Sequence, residues 1–118
     1  MSARILVVDD EPVLLDSLQV ILEADGHQVT IARGGQAGLD AISDGDPFDI
    51  VITDLGMPYV DGRRVAAVAK QSAPARPVIL LTGWGEKLKA EGTVPEHVDS
   101  VLSKPPKLRE LRAALALR

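Results

Sequence analysis

Cysteine is absent from the 118 residues, which excludes disulfides, thiolate nucleophiles and zinc–thiolate sites. Histidine occurs only at His27 and His97, too few for a histidine metal site or a histidine relay. No run of Lys or Arg exceeds two, and 13 basic against 17 acidic residues give a formal charge of −4, so no nucleic-acid partner is expected. No apolar stretch approaches the ~20 residues of a membrane span, and no signal-peptide layout opens the chain. A cytoplasmic, mildly acidic protein with no membrane partner is expected. What is present is 46% hydrophobic and 25% charged, which suits one compact domain over residues 1–118. Such a domain buries roughly two thirds of its unfolded surface and needs no metal or disulfide staple to fold.

Short, Val- and Ile-rich apolar runs occur at Ile5–Val8, Val29–Ala32, Ile50–Ile52, Val78–Leu81 and Val98–Leu102. Several lack polar alternation, the pattern of strands covered on both faces. Helical spacing fills the intervals. Pro12–Asp25 places Val13, Leu14, Leu18, Ile21 and Leu22 on one face, with Pro12 in the first turn and Gly26 at the stop. Gly35–Ser43 offers Ala37, Leu39, Ala41 and Ile42. Asp61–Ala73 opens with a capping Asp and turns Val65, Val68 and Ala69 inward. Lys107–Leu117 presents Leu108, Leu111 and Leu115. Between the fourth and fifth runs, Glu86–Gly92 predicts one or two helical turns or a mobile loop. Strands alternating with helices imply right-handed crossovers, hence a doubly wound five-stranded parallel sheet with helices on both faces.

Ligands of such folds bind beyond the carboxyl ends of the strands. The first strand runs into Asp9, Asp10 and Glu11, the third into Asp54, the fourth into Thr82 and the fifth into Lys104. Taken singly, Asp9 or Asp10 caps a helix, Asp54 opens a turn, Thr82 satisfies a strand-end carbonyl and Lys104 is solvated. Taken together, three convergent carboxylates repel one another unless a cation joins them. An oxygen-only donor set suits Mg²⁺. Phosphoryl transfer uses these parts: Asp54 as nucleophile, Asp9 and Asp10 as metal holders, and Lys104 and the Thr82 hydroxyl on the transferring oxygens.

At these residues the sequence resembles the receiver domain of two-component response regulators over essentially its whole length. The matching motifs are ILVVDDEP at 5–12, DIVITDLGMPYVDG at 49–62, PVILLTG at 77–83 and VLSKP at 101–105. Thr82 follows Asp54 by 28 positions, and Lys104 follows Thr82 by 22. The resemblance implies the flavodoxin-like strand order 2-1-3-4-5, with Asp54 as phosphoacceptor for a sensor histidine kinase or histidine phosphotransfer domain. It implies Mg²⁺ on the side chains of Asp10 and Asp54 and the carbonyl of Gly56, with Asp9 acting mainly through a metal-bound water. It also implies that Thr82 moves towards the phosphoryl oxygen, that Lys104 pairs with it, and that the Lys104–Pro105 peptide is cis. Val101 stands where receivers often carry Tyr or Phe, and Gly83 and Gly85 flank Trp84. That TGWG run with the VLSKP ending is similar to receivers of hybrid sensor kinases. We expect the Trp84 loop and residues 86–95 to form a mobile output element.

The expected function is a phosphorylation switch read by a downstream protein partner, not an enzyme beyond its own phosphorylation and autodephosphorylation. A Mg²⁺-dependent phosphohydrolase with an aspartyl nucleophile is the alternative, although its usual DxD pair is missing after the first strand. An FMN binder ranks last, because the acidic loop would repel the FMN phosphate. Among lesser features, His27 is expected exposed in a turn, His97 without a partner, and Arg63-Arg64 on a solvated face. Gly34, Gly35 and Gly38 lack the spacing of a nucleotide loop. Gly62 is expected to hold a backbone conformation that other residues resist.

Overall fold

The computed structural model describes residues 2–44, 48–92 and 94–116. Ten elements alternate strictly: β1 (Arg4–Asp9), α1 (Pro12–Ala24), β2 (Gln28–Arg33), α2 (Gly35–Ser43), β3 (Ile50–Thr53), α3 (Gly62–Ser72), β4 (Val78–Thr82), α4 (Gly85–Glu91), β5 (Ser100–Ser103) and α5 (Leu108–Ala116). The strands form one parallel sheet in the order β2-β1-β3-β4-β5, the flavodoxin-like arrangement.

Alternation of side chains across the sheet builds two unequal layers. Ile5 and Val7 of β1 point to one face with Ile50, Ile52, Ile79, Leu81 and Leu102, and meet Leu15, Leu18 and Leu22 of α1 and Leu111 and Leu115 of α5. Leu6 and Val8 point to the other, with Val51 and Val78, under Ile42 of α2 and Val65, Ala66 and Ala69 of α3. A third, small cluster of Leu55, Leu80 and Val101 sits at the β4–β5 corner, with Leu88 of α4 and Val98 packed against it.

Local chemistry sets the boundaries. Pro12 begins α1, and Gly26 follows it with φ +91°, a left-handed conformation costly for other residues. Asp61 caps α3 by accepting from the backbone N–H of Arg63 at 2.9 Å and of Arg64 at 3.3 Å. Gly92 closes α4 with φ +67°.

Several expectations shift. Val13 is 80% exposed and Leu15 is buried instead, while the other predicted residues Leu14, Leu18, Ile21 and Leu22 do pack on the core. Leu108 is likewise 42% exposed, and Ala114 is buried instead. β5 begins at Ser100 rather than Val98, which packs beside it in the small cluster. The predicted end of the last helix at Leu117 lies outside the described residues. Residues 85–91 form a helix of two turns, within the one or two turns expected there. Among the described residues no helix is long and apolar enough to cross a membrane.

Candidate functional site

Parallel pairing brings the carboxyl ends of β1, β3, β4 and β5 to one edge. Val8 stands opposite Thr53, Thr53 opposite Leu80, and Thr82 opposite Ser103. Asp9, Asp54, Thr82 and Lys104 therefore arrive together, though up to 95 positions separate them in the sequence. Asp9 is 1% exposed, Thr82 4% and Asp54 6%, while Asp10 is half-buried.

The ammonium of Lys104 is the hub. Its Nζ lies 2.9 Å from Asp9 Oδ2, 3.2 Å from Asp54 Oδ2 and 3.3 Å from Glu11 Oε1. Backbone amides hold the other oxygens: Glu11 N–H donates to Asp9 Oδ1 at 2.9 Å, and Leu55 N–H donates to Asp54 Oδ1 at 2.8 Å. The Lys104 backbone N–H donates to the Thr82 carbonyl at 3.0 Å, which sets the root of the lysine against β4. The Lys104–Pro105 peptide is cis, as the resemblance implied.

Burial raises the Asp54 carboxyl above the ordinary aspartate range, and the Asp9 charge adds to this, with Lys104 opposing both. Burial also works against the Lys104 charge, but the adjacent negative charges of Asp9 and Asp54 outweigh it and hold the ammonium above the usual lysine range.

A divalent cation fits this donor set. Asp9, Asp10 and Asp54 each offer an oxygen, all within 4.8 Å of one another. Two carboxylates at that separation repel by roughly 3–4 kcal/mol at an effective dielectric near 20. With Glu11 counted, one ammonium stands among four carboxylates, an excess of negative charge that a divalent ion would largely offset. Asp9 Oδ2 is the second indication: it is fully buried, and its approach to Lys104 is an ionic contact outside hydrogen-bond geometry. Hard oxygen ligands of this kind suit Mg²⁺.

Beside the carboxylates opens a cleft of about 210 Å³ lined by Asp54, Leu55, Gly56, Thr82, Gly83 and Trp84. Thr82 Oγ1 accepts from the Trp84 backbone N–H at 3.3 Å, so the hydroxyl sits at the cleft wall. Trp84 lines the mouth and is 67% exposed.

Every residue expected at the site is found at this edge. The structure adds Glu11 as a third partner of Lys104, a pairing across 93 positions with no local sequence signal. Gly62 has an ordinary φ, contrary to expectation. It is glycine for lack of space, since a Cβ there would run into the Asp54 carbonyl oxygen. Gly38 likewise packs against Val8, within 2.8 Å of where a Cβ would stand, which gives it a structural role away from any nucleotide. His27 is half-buried rather than exposed, and its Nδ1 accepts from the Ala3 backbone N–H at 3.0 Å. His97 has Glu96 as a neighbour at 3.8 Å. Arg63 and Arg64 lie on an exposed face as expected.

Comparison with known proteins agrees with this geometry. A family model described as the response regulator receiver domain matches residues 5–116. The transcriptional regulatory protein GlrR of Escherichia coli is 37% identical over 103 residues, covering 87% of this chain and 23% of that protein. The response regulator MprA of Mycolicibacterium vanbaalenii is 33% identical over 115 residues, covering 98% of this chain and 49% of that protein. The chain thus spans half or less of the length of these relatives. Among solved structures, a receiver domain from Clostridium thermocellum superposes with a TM-score of 0.86 at 34% identity, covering 98% of this chain and 92% of that one. The response regulator TrrA of Thermotoga maritima, solved in complex with Mg²⁺ and BeF, superposes at 0.81 with 29% identity over 98% of this chain and 97% of that one.

Proposed function

We propose, since this chain belongs to the response regulator receiver domain family, that residues 1–118 form a single receiver acting as a phosphorylation switch with Asp54 as phosphoacceptor. The observation that carries the reading is the placement of Asp54. Its carboxyl is buried, gripped by Lys104 at 3.2 Å and Leu55 N–H at 2.8 Å, yet it borders an open cleft on the Thr82 side. A carboxylate so oriented offers an oxygen to phosphorus without searching rotamers.

Each neighbour has a role. Lys104, its proton held firmly by two carboxylates, neutralises charge on a transferring phosphoryl oxygen. The Thr82 hydroxyl, which accepts from the Trp84 amide, keeps its own proton to donate to another. Asp9, Asp10 and Asp54, with the Gly56 carbonyl, would hold Mg²⁺. Bound there, Mg²⁺ supplies positive charge against the carboxylates and the transferring phosphoryl group.

The donor in this reading is a phosphohistidine on a sensor kinase or phosphotransfer domain in the cytoplasm, and a protein partner reads the phosphorylated state. The chain's own acyl phosphate is its only turnover. Incubation with phosphoramidate and Mg²⁺, followed by intact mass, tests this. One phosphate on the wild type and none on Asp54→Asn is expected. Turnover of phosphate esters without an adduct would instead identify a hydrolase.

A further inference from the structure

The chain has three aromatic residues, one Phe, one Tyr and one Trp. Phe48 is buried in the core, whereas Trp84 stands 67% exposed beside the Asp54 cleft. An indole left in water beside a reactive carboxylate forgoes the burial that large aromatics normally contribute to a fold.

The backbone at this position is well fixed. Trp84 N–H is tied to Thr82 Oγ1, and Gly85 is wedged against β5, where a Cβ would stand 2.9 Å from Ser103 Cα. Ser103 Oγ adds a hydrogen bond to Glu86 Oε1 at 3.3 Å. The walls around the ring are empty by contrast. A Cβ at Gly56 or Gly83 would meet nothing within 4 Å. The Trp84 side chain thus stands, largely uncovered, at the wall of the cleft beside the nucleophile.

We propose that Trp84 is a platform for the leaving imidazole of a phosphohistidine donor, and so a specificity-determining residue of the transfer; this rests on the receiver reading above. In the step, an Asp54 oxygen bonds to phosphorus as the P–N bond breaks. The bonding pair returns to the ring nitrogen, and a donor protonated on its other nitrogen leaves as neutral imidazole. Until then the ring is flat and cationic. An indole face attracts such a ring through stacking and through its quadrupole. A donor with no ring gains nothing from Trp84.

Two small donors isolate the ring, because monophosphoimidazole and phosphoramidate both break a P–N bond and only the first carries an aromatic leaving group. Initial rates of phosphate uptake, followed by intact mass in Mg²⁺ buffer, compare wild type, Trp84→Ala and Trp84→Phe. Trp84→Ala is expected to slow uptake from monophosphoimidazole on the order of 5-fold, the scale of one ring contact. Uptake from phosphoramidate should change less than about 2-fold on the same argument, and Trp84→Phe should retain most of the preference. Equal slowing with both donors, or no slowing with either, overturns the platform. A wild type phosphorylated by neither donor overturns the receiver reading itself, and this inference with it.

Discussion

The face beneath α1 and α5 and the corner beneath α4 are built from the same kinds of residue in very different amounts. Under α1 and α5 the core is continuous from Ala3 to Leu115 and includes Ile5, Leu18, Leu22 and Leu111, each 1% exposed or less. Under α4 it consists of Leu55, Leu80 and Val101, with Leu88 only partly covered. The one buried residue of α4 is Gly85, and the helix packs chiefly against β5. Buried apolar area at roughly 25 cal/mol per Å² decides how costly local opening is. Asp9 and Asp54 hang on strands of the thick layers, whereas Thr82 and Trp84 lead directly into the thin one. Asp54 is therefore set on a thickly packed strand, while Thr82 leads into the thinly packed α4 corner.

The largest expected effect tests the thick layer. Leu18→Ala should cost about 2–5 kcal/mol, as large cavities in tight cores do. Leu88→Ala in the thin corner should cost less than about 1 kcal/mol, being a partly covered site. Urea denaturation measures both, and similar values would erase the distinction. Next, Gly85→Ala should cost about 1–3 kcal/mol by overpacking Ser103, which would locate what anchorage α4 has at its first turn. Amide exchange should then show α4 opening more readily than α1, and slowing when beryllofluoride and Mg²⁺ mimic the phosphoryl group. Unchanged exchange in residues 83–92 would dissociate the corner from the site.

A smaller effect concerns charge. The folded Asp54 carboxyl ionises at higher pH than an unfolded aspartate, so its charge lowers stability above that range and has no effect where both forms are protonated. Asp54→Asn in the absence of Mg²⁺ should therefore raise the thermal midpoint at neutral pH, with the gain shrinking to nothing in acid. The Lys104 ammonium acts at the other end. Its contribution is complete below the ordinary lysine range and is lost as pH rises through the higher folded value. Lys104→Met should remove that alkaline dependence, read as a flatter midpoint against pH.

The candidate site was legible because four of the five strands lead into one of its residues: Asp9 and Thr82 close β1 and β4, and Asp54 and Lys104 immediately follow β3 and β5, while the strand order came from the family resemblance. The apolar runs fixed the rest of the sheet to within two residues. Helix faces were less legible. Val13 and Leu15 are both apolar but lie on nearly opposite sides of α1, and the packing of α1 against the sheet selects Leu15. Gly62 was misread because a glycine needed for space looks the same in sequence as one needed for conformation. Glu11 at Lys104 and Ala3 at His27 join residues far apart in the chain, so no local pattern could announce them.

Reductive trapping addresses the phosphoacceptor most directly. Borohydride converts an aspartyl phosphate to homoserine, and peptide mass spectrometry then reads the modified position. After phosphoramidate and Mg²⁺, homoserine is expected at position 54 alone. Homoserine at Asp9 or Asp10 instead, or at no position in a protein that has consumed the donor, would contradict the assignment of Asp54.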